Sequence, residues 1–305
     1  MDVKRLELLR ELSERGSIAA VAKATHRTPS AVSQQLKVLE REAGTRLTER
    51  VGRGLVLTGS GRVLAQTATD VAVALERAQA VWDDFVVAPQ GEVTLAVFPT
   101  AGQMLLPGLL RTIGETPGLV VRATDHDPAT LGFADLTGDY DVVVAHSPDG
   151  ARSWRGRGLT TVPLLREPLD IALPADHRLA GRASLALEDL EGESWIGVPA
   201  GYPYDWVYRE IERKTGTSPR ITQRFSDTRI TEALVGAGLG IAVLPRFTST
   251  GVRDDMVLLP LEGMRAVRHL SVLLRPDRAE RPSVRRVVDA LRAEASRVAA
   301  VHGTV

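Results

Sequence analysis

Residue types that carry out covalent or metal chemistry are sparse and scattered in this sequence. None of the 305 residues is a cysteine. That excludes disulfides, thiolate metal sites, a cysteine nucleophile and a thiol redox switch. The six histidines are dispersed, and Asp125-His126-Asp127 is the one acid–histidine cluster. With no further ligands at suitable spacing it reads as solvated loop residues rather than a metal site. Gly236-x-Gly238-x-Gly240 has the look of a nucleotide fingerprint. It follows an expected helix and precedes an expected strand, the reverse of the order a phosphate-binding turn needs, so a tight helix-to-strand turn is the better reading. There is no P-loop, no H-E-x-x-H and no G-x-S-x-G elbow. Nothing sets a nucleophile beside a base, and an enzyme is the least supported class.

The spacing that does carry a function lies near the start. Ser30, Ser33, Gln34 and Lys37 fall on one helical stripe, opposite Val32, Leu36 and Leu39. The polar stripe is short-chained and free of acids until Glu40. A helix entering a DNA major groove needs hydrogen-bonding tips and no carboxylate against phosphate. The elements that would position it follow from local signals. Residues 2–14 make a first amphipathic helix ended by Gly16, and Ser17 caps a short second helix over 18–24. Thr28-Pro29 then opens a third helix running to about Ala43. Two helices joined by a short turn, the second polar outside, make the helix-turn-helix pattern, although a plain three-helix bundle would share these caps. Residues 47–50 and 55–58 alternate as two short strands around a Gly-rich tip, placing Arg50 and Arg53 on a wing where phosphates pass. From Gly61 to Phe85 one long apolar-faced helix follows, and such a helix calls for a partner, here a second copy.

Charge agrees with this division. The chain is neutral overall, with 38 basic and 38 acidic side chains. Residues 1–62 hold 12 Lys/Arg against 7 Asp/Glu, and the remainder hold 26 against 31. A basic head on an acidic body hints at nucleic-acid contact at one end. At 44% apolar and 25% charged the composition is that of a globular protein. No signal peptide or membrane span is visible, which predicts a cytoplasmic protein.

Beyond a hinge at Ala88-Pro89-Gln90-Gly91 the pattern becomes α/β. Strands are expected at 92–98, 119–124 and 141–145, with a break at 99–102 and helices at 104–113 and within 127–138. A second unit shows strands at 169–173, 195–198, 221–225 and 241–244, and helices at 187–190, 204–215 and 228–236. A strand at 270–274 and a final helix at 282–301 close the chain. In such a body a ligand belongs in the crevice at the strand C-termini. Thr100 and Ala101 sit at a strand-to-helix turn that could hold a carboxylate or be a plain cap. His146 and Ser147 end a strand, where the histidine would serve as a donor to an anion or simply finish the sheet. Gly201 and Tyr202 belong to a turn in which five of the thirteen aromatics cluster over 195–208, suited to a flat ligand or to core packing. Ser226 and Asp227 end another strand, with Asp227 either an amine ligand or, more simply, a helix cap.

The first 88 residues resemble the head and linker of the LysR-type transcriptional regulators. The resemblance rests on Gly16-Ser17, Ala22, Ser30 to Leu36, Leu39-Glu40, Gly44, Leu47, Glu49-Arg50, Gly54 and Leu57-Thr58, in order and without gaps. Val21, Thr25 and Thr48 depart from the family's usual residues, as does Pro29-Ser30. The run Ala233 to Pro245 is the most family-like part of the body. The resemblance implies a winged helix-turn-helix over 1–60, a dimerising linker helix over 61–88 and, over 89–305, a two-lobed α/β effector domain resembling a type 2 periplasmic binding protein. Its lobe I would be 91–163 with 268–305, and its lobe II 164–267. It implies a regulator modulated by a small-molecule effector between the lobes, with no cofactor, binding double-stranded DNA as a homodimer or homotetramer. Arg27, Thr28, Ser30, Ser33, Gln34, Lys37, Arg50 and Arg53 would meet the DNA. A constitutive repressor or architectural protein whose body only assembles subunits is the alternative.

Overall fold

The computed structural model describes residues 1–51, 54–86, 90–128, 132–202 and 204–303. Arg53, the Ala88-Pro89 part of the hinge and Pro203 lie outside the described residues. The head begins with α1 (Val3–Arg15), α2 (Ile18–Ala24) and α3 (Pro29–Ala43). The caps do what the sequence asks of them. Ser17 Oγ accepts the Ala20 N–H, and Thr28 Oγ1 accepts the Ala31 N–H with Pro29 in the first turn. Gly16 and Gly44 end their helices in the left-handed region at φ 69° and 68°. Val32, Leu36 and Leu39 are buried against Leu6, Leu9, Leu12 and Val21. The wing is a hairpin of β1 (Thr48–Val51) and β2 (Gly54–Leu57). One carboxylate oxygen of Glu40 accepts from Leu47 N, Thr48 N and Thr48 Oγ1 at 2.9–3.0 Å, which fixes the wing to α3.

The long helix α4 (Gly59–Val86) starts two residues before the expected Gly61. Gly61 lies so close to the Leu47 carbonyl that an added Cβ would overlap it, so this glycine sets how near α4 comes to the wing.

The body is built on β3 (Gly91–Val97), β4 (Leu119–Asp125), β5 (Val142–Ser147), β6 (Thr160–Pro174), β7 (Ser194–Gly197), β8 (Arg220–Arg224), β9 (Ile241–Pro245), β10 (Met256–Leu259) and β11 (Val267–Leu274). Their order is β4-β3-β5-β11-β6-β9-β7-β8, with β10 also on β6. Two parallel groups, β4-β3-β5 and β9-β7-β8, are joined by the antiparallel strands β6 and β11. Helices α5 (Pro99–Gly114) and α10 (Pro282–Val301) cover the first group, and α7 (Asp205–Thr215) and α8 (Thr228–Gly236) flank the second. The short helices α6 (Gly132–Leu136) and α9 (Arg246–Ser249) complete the set. Each half has its own apolar core, around Leu95, Leu105, Val144 and Leu291 in one and Ile171, Trp195, Val207 and Val243 in the other.

Four elements differ from expectation. Helix α5 starts at Pro99, because a proline at the first helical position starts a helix rather than breaking it. Strand β6 runs fifteen residues instead of five. Its outbound half carries Pro163, which the sheet accommodates at a shift in the pairing with β11. Strand β10 and helix α9 were not expected from the sequence.

Helix α1 docks on the body through charge. Arg275 Nη1 contacts Glu11 Oε1 (2.8 Å) and Glu14 Oε2 (3.0 Å), and Arg10 Nη1 contacts Asp277 Oδ2 (2.8 Å). Arg15 reaches the Gly138 carbonyl and Asp139. Arg275 is 5% exposed, so its charge depends on these partners. Arg275→Ala removes a buried cation shared by Glu11, Glu14 and Asp277, leaves Glu11 to Arg15 and Asp277 to Arg10, and should cost about 1–3 kcal/mol in a denaturant melt. Arg122→Ala, which breaks an exposed pair with Glu92, should leave the melt nearly unchanged. Equal costs would mean that the α1 contact is not a buried one.

Candidate functional site

Two surfaces gather the candidate residues. On the head, Arg27, Thr28, Ser30, Gln34, Lys37 and Arg50 are exposed and Ser33 is half-buried. Ser33, Lys37 and Arg50 line one recess together with Ser17, Ile18 and Ala19. Thr28 and Ser30 have their hydroxyls in mutual contact at 3.0 Å, beside the N-terminus of α3. Glu40 also lines the recess, but one of its oxygens is taken up by the wing. The recess therefore offers short polar tips and two cations, with its one acid engaged.

In the body, a cavity of about 490 Å³ opens at the C-terminal ends of the parallel strands of both halves. Thr100 and Gln103 come from α5, Asp125 and Asp127 from the end of β4, and His146 from the end of β5. The other half contributes Tyr202, Tyr204, Ser226 and Asp227 from the ends of β7 and β8. The floor is Arg268 on β11, which is 1% exposed. It faces Glu167, its cross-strand neighbour on β6, with Nε to Oε2 at 2.8 Å. Its other nitrogens donate to Tyr204 Oη (2.8 Å) and Thr100 Oγ1 (2.9 Å). The guanidinium carbon lies 5.1 Å from the Phe98 ring centre and 5.6 Å from that of Tyr204. Above the floor, Tyr202 Oη donates to the Asp127 carbonyl at 2.7 Å, a second link between the halves.

The sequence-based candidates divide as follows. Thr100, His146, Tyr202, Ser226 and Asp227 line the cavity. Ala101 has its side chain in the first core, which leaves only its backbone N–H to serve a ligand. Ser147 is a correction: it is buried and donates to the Gly150 carbonyl (3.0 Å), away from the cavity. Gly201 is not among the lining residues, and its N–H is used by Asp205. Asp227 caps α8, accepting from Arg229 N (2.9 Å), and pairs with the Arg229 side chain. His146 lies 4.4 Å centre to centre from Phe98, and burial with the nearby charge of Arg268 holds its pKa well below the usual value. It is a neutral imidazole there, not a cation.

In the Asp125-His126-Asp127 cluster Asp125 is exposed, as a solvated residue would be, but the other two are engaged. His126 Nε2 contacts Tyr140 Oη at 2.6 Å, while Asp127 is mostly buried at the cavity wall. Asp127 Oδ1 has no hydrogen-bond partner. Burial pushes its pKa up to about 6, against the opposing pull of Arg268 and the Tyr202 hydroxyl. Sequence reading missed Glu167 and Arg268 altogether. The available signal was a glutamate and an arginine at the two crossings between the halves.

The comparisons with known proteins agree with this geometry. Residues 3–62 match the bacterial regulatory helix-turn-helix protein model of the lysR family. Residues 88–296 match the LysR substrate binding domain model, more than half of the chain. The chain belongs to the LysR family. It is a transcriptional regulator, not an enzyme, with a helix-turn-helix head and a two-lobed effector domain. It is 28% identical to the transcriptional regulator TtuA of Agrobacterium vitis over 269 residues, 86% of each chain. A full-length OxyR variant from Pseudomonas aeruginosa has the same fold, with a TM-score of 0.64, 21% identity and coverage of 96% and 98% of the two chains. CbnR in complex with its target DNA matches with a TM-score of 0.54 and 25% identity, covering 97% of this LysR chain and all of CbnR. No helix among the described residues is long and apolar enough to cross a membrane.

The raised pKa of Asp127 has a stability consequence. The folded chain holds this proton more tightly than the unfolded one, so its contribution is fully present below about pH 4 and lost as pH rises through 6. Asp127→Asn should therefore match the parent protein near pH 4 and exceed its stability above pH 7, by about 1–3 kcal/mol. Unfolding curves at the two pH values measure this. A difference between parent and variant that does not change with pH would refute the burial of the charge.

Proposed function

We propose that this regulator binds double-stranded DNA sequence-specifically in the cytoplasm, as a homodimer or homotetramer, under the control of a small molecule held between its lobes. The observation that carries the reading is the exposed, cation-bearing polar face of α3 beside Arg50. Residues 1–60 form the DNA-binding unit, 61–88 the linker and 89–305 the sensor, with lobe I over 91–163 and 268–305 and lobe II over 164–267. Ser33, Gln34 and Lys37 read base edges, Arg27, Thr28 and Ser30 meet the backbone, and Arg50 and Arg53 hold phosphates. The DNA complex of CbnR supports the assignment of DNA as partner.

A second copy suits the exposed flank of α4, where Val63, Leu75 and Val81 are all at least half exposed. The effector acts by preferring one relation of the two lobes over another. Thr100 and Asp127 lie on one wall, and Tyr202, Tyr204 and Asp227 on the other. Strand β11 links this cavity to the head, since Arg268 stands at the cavity floor and Arg275, just past the end of the strand, holds α1.

The test is to map binding sites on a fragment library of the source genome at two salt concentrations. Discrete palindromic sites with a steep salt dependence are expected. Diffuse binding would favour the architectural alternative, and no binding at low salt would refute DNA as partner. Gln34→Ala should relax specificity at one base position at a cost of about 1–3 kcal/mol. Arg50→Ala should weaken all sequences alike and reduce the salt slope by about 1. Identical behaviour of the two variants would overturn the division of roles. Val81→Asp on α4 should lower the mass measured by light scattering. An unchanged mass would place the interface elsewhere.

A further inference from the structure

The chemistry of the lobe cavity narrows what it can hold, given the reading of that cavity as the effector site. Both arginines in its lining are already committed. Arg268 serves Glu167, Tyr204 and Thr100, and Arg229 serves Asp227. Arg268 is closed to an incoming anion, whereas Arg229, 86% exposed at its side chain, is held only by a surface pair with Asp227 and stands at the rim. His146 is neutral, so it brings no charge. Beside the side chains of Gln103, His146, Ser226 and Thr228, donors for an anion stand at the start of α5. Phe98 occupies the N-cap position without a side-chain bond, Pro99 has no N–H, and the N–H groups of Thr100 and Ala101 precede the first carbonyl of the helix that could take them. Helix α5 is sixteen residues long, and a carboxylate fits at such a terminus.

A second, independent feature is of opposite sign. Asp127 Oδ1 is buried at the same cavity with no donor of the protein on it. Leaving a buried carboxylate oxygen unpaired is costly, and a charged donor repays that cost best. The nearest buried cation, Arg268, is balanced by Glu167. The lining also carries Asp125 and Asp227, so its acids outnumber its arginines and it attracts positive charge. The rings of Phe98, Tyr202 and Tyr204 add faces suited to a cation or to an apolar side group.

We infer that the cavity takes a small zwitterion, a free amino acid or a close amino carboxylate, with its carboxylate on the α5 N-terminus and its ammonium on Asp127. A simple carboxylate would satisfy α5 and leave Asp127 unpaired, and a site built around a polar partner rejects the analogue that lacks it. A simple amine would do the reverse. The volume of about 490 Å³ accommodates an amino acid with a large side chain.

The experiment uses the full chain with two probe sets in thermal-shift and calorimetric titrations. One set is the standard free amino acids. The other is their deaminated counterparts, such as 3-phenylpropionate for phenylalanine and glutarate for glutamate. At least one amino acid should bind about tenfold or more tightly than its deaminated partner. Asp127→Asn should abolish that preference while changing the affinity for the deaminated acid by no more than about twofold. Binding of the deaminated acids as tight as that of the amino acids, or a preference that survives Asp127→Asn, overturns the zwitterion and leaves the cavity as the effector site. If neither set binds, the zwitterion is again overturned. The effector-site reading falls with it only if filling the cavity with Ser226→Trp leaves the DNA footprint unchanged.

Discussion

The ion pair between Glu167 and Arg268 is the contact on which the body of this protein is hung. Both side chains are essentially inaccessible to water. Two bare charges at that depth would cost several kcal/mol each. The structure offsets the cost by satisfying the remaining polar atoms. Phe247 N donates to Glu167 Oε1 at 2.9 Å, and Tyr204 and Thr100 take the guanidinium protons that Glu167 does not. The partners come from α9, from the turn before α7, from α5 and from the two crossing strands. A pair so surrounded is a poor source of net stability, since matched apolar groups can do as well. What it specifies is position: it allows one register of β6 against β11 and one seat for the start of α5.

That register has consequences at the other end of β11. A strand advances about 3.3 Å per residue, so Arg268 and Arg275 stand on the order of 20 Å apart along a nearly rigid element. The far end is held to α1 by Glu11, Glu14 and, through Arg10, Asp277. Head and sensor thus meet through ion pairs, whereas the head's own helices meet through leucines and valines. The difference matters physically. Apolar interdigitation resists sliding, because any shift opens voids. A set of several acids and arginines can exchange partners within a small displacement, which makes this junction the natural place for two arrangements of similar energy.

Sequence and structure agree best where local signals decide. Caps at Ser17 and Thr28, glycines at 16 and 44, and an apolar stripe through Val32, Leu36 and Leu39 determine the head within a residue or two. Each of these acts within one or two helical turns, so each is visible in a short window of sequence. The body was legible as α/β for the same reason, through its apolar strand runs. The cavity floor was not. Glu167 and Arg268 are 101 positions apart, and they become partners only through the register of two strands that cross between the halves. The outbound half of β6 escaped notice because Pro163 and Pro168 interrupt its alternation. Asp127 was misjudged because an acid beside a histidine looks soluble in sequence. Its burial is imposed by Tyr202, which reaches it from 75 positions away.

The floor also determines how the cavity can discriminate. An arginine at the base of a cleft invites the reading that it receives an anion. Here its donors are spent on neighbours fixed by the fold, and its charge is cancelled at 2.5 Å. A ligand could recruit it only by breaking the pair with Glu167, which would leave a buried carboxylate uncompensated and cost more than one new contact returns. Selectivity then draws on groups with capacity to spare, among them the first N–H groups of α5 and the unpaired oxygen of Asp127. These lie on one lobe, while the rings of Tyr202 and Tyr204 lie on the other. A molecule that binds both walls necessarily favours the lobe arrangement in which both are within reach, which is the differential affinity that any ligand-driven change of shape requires.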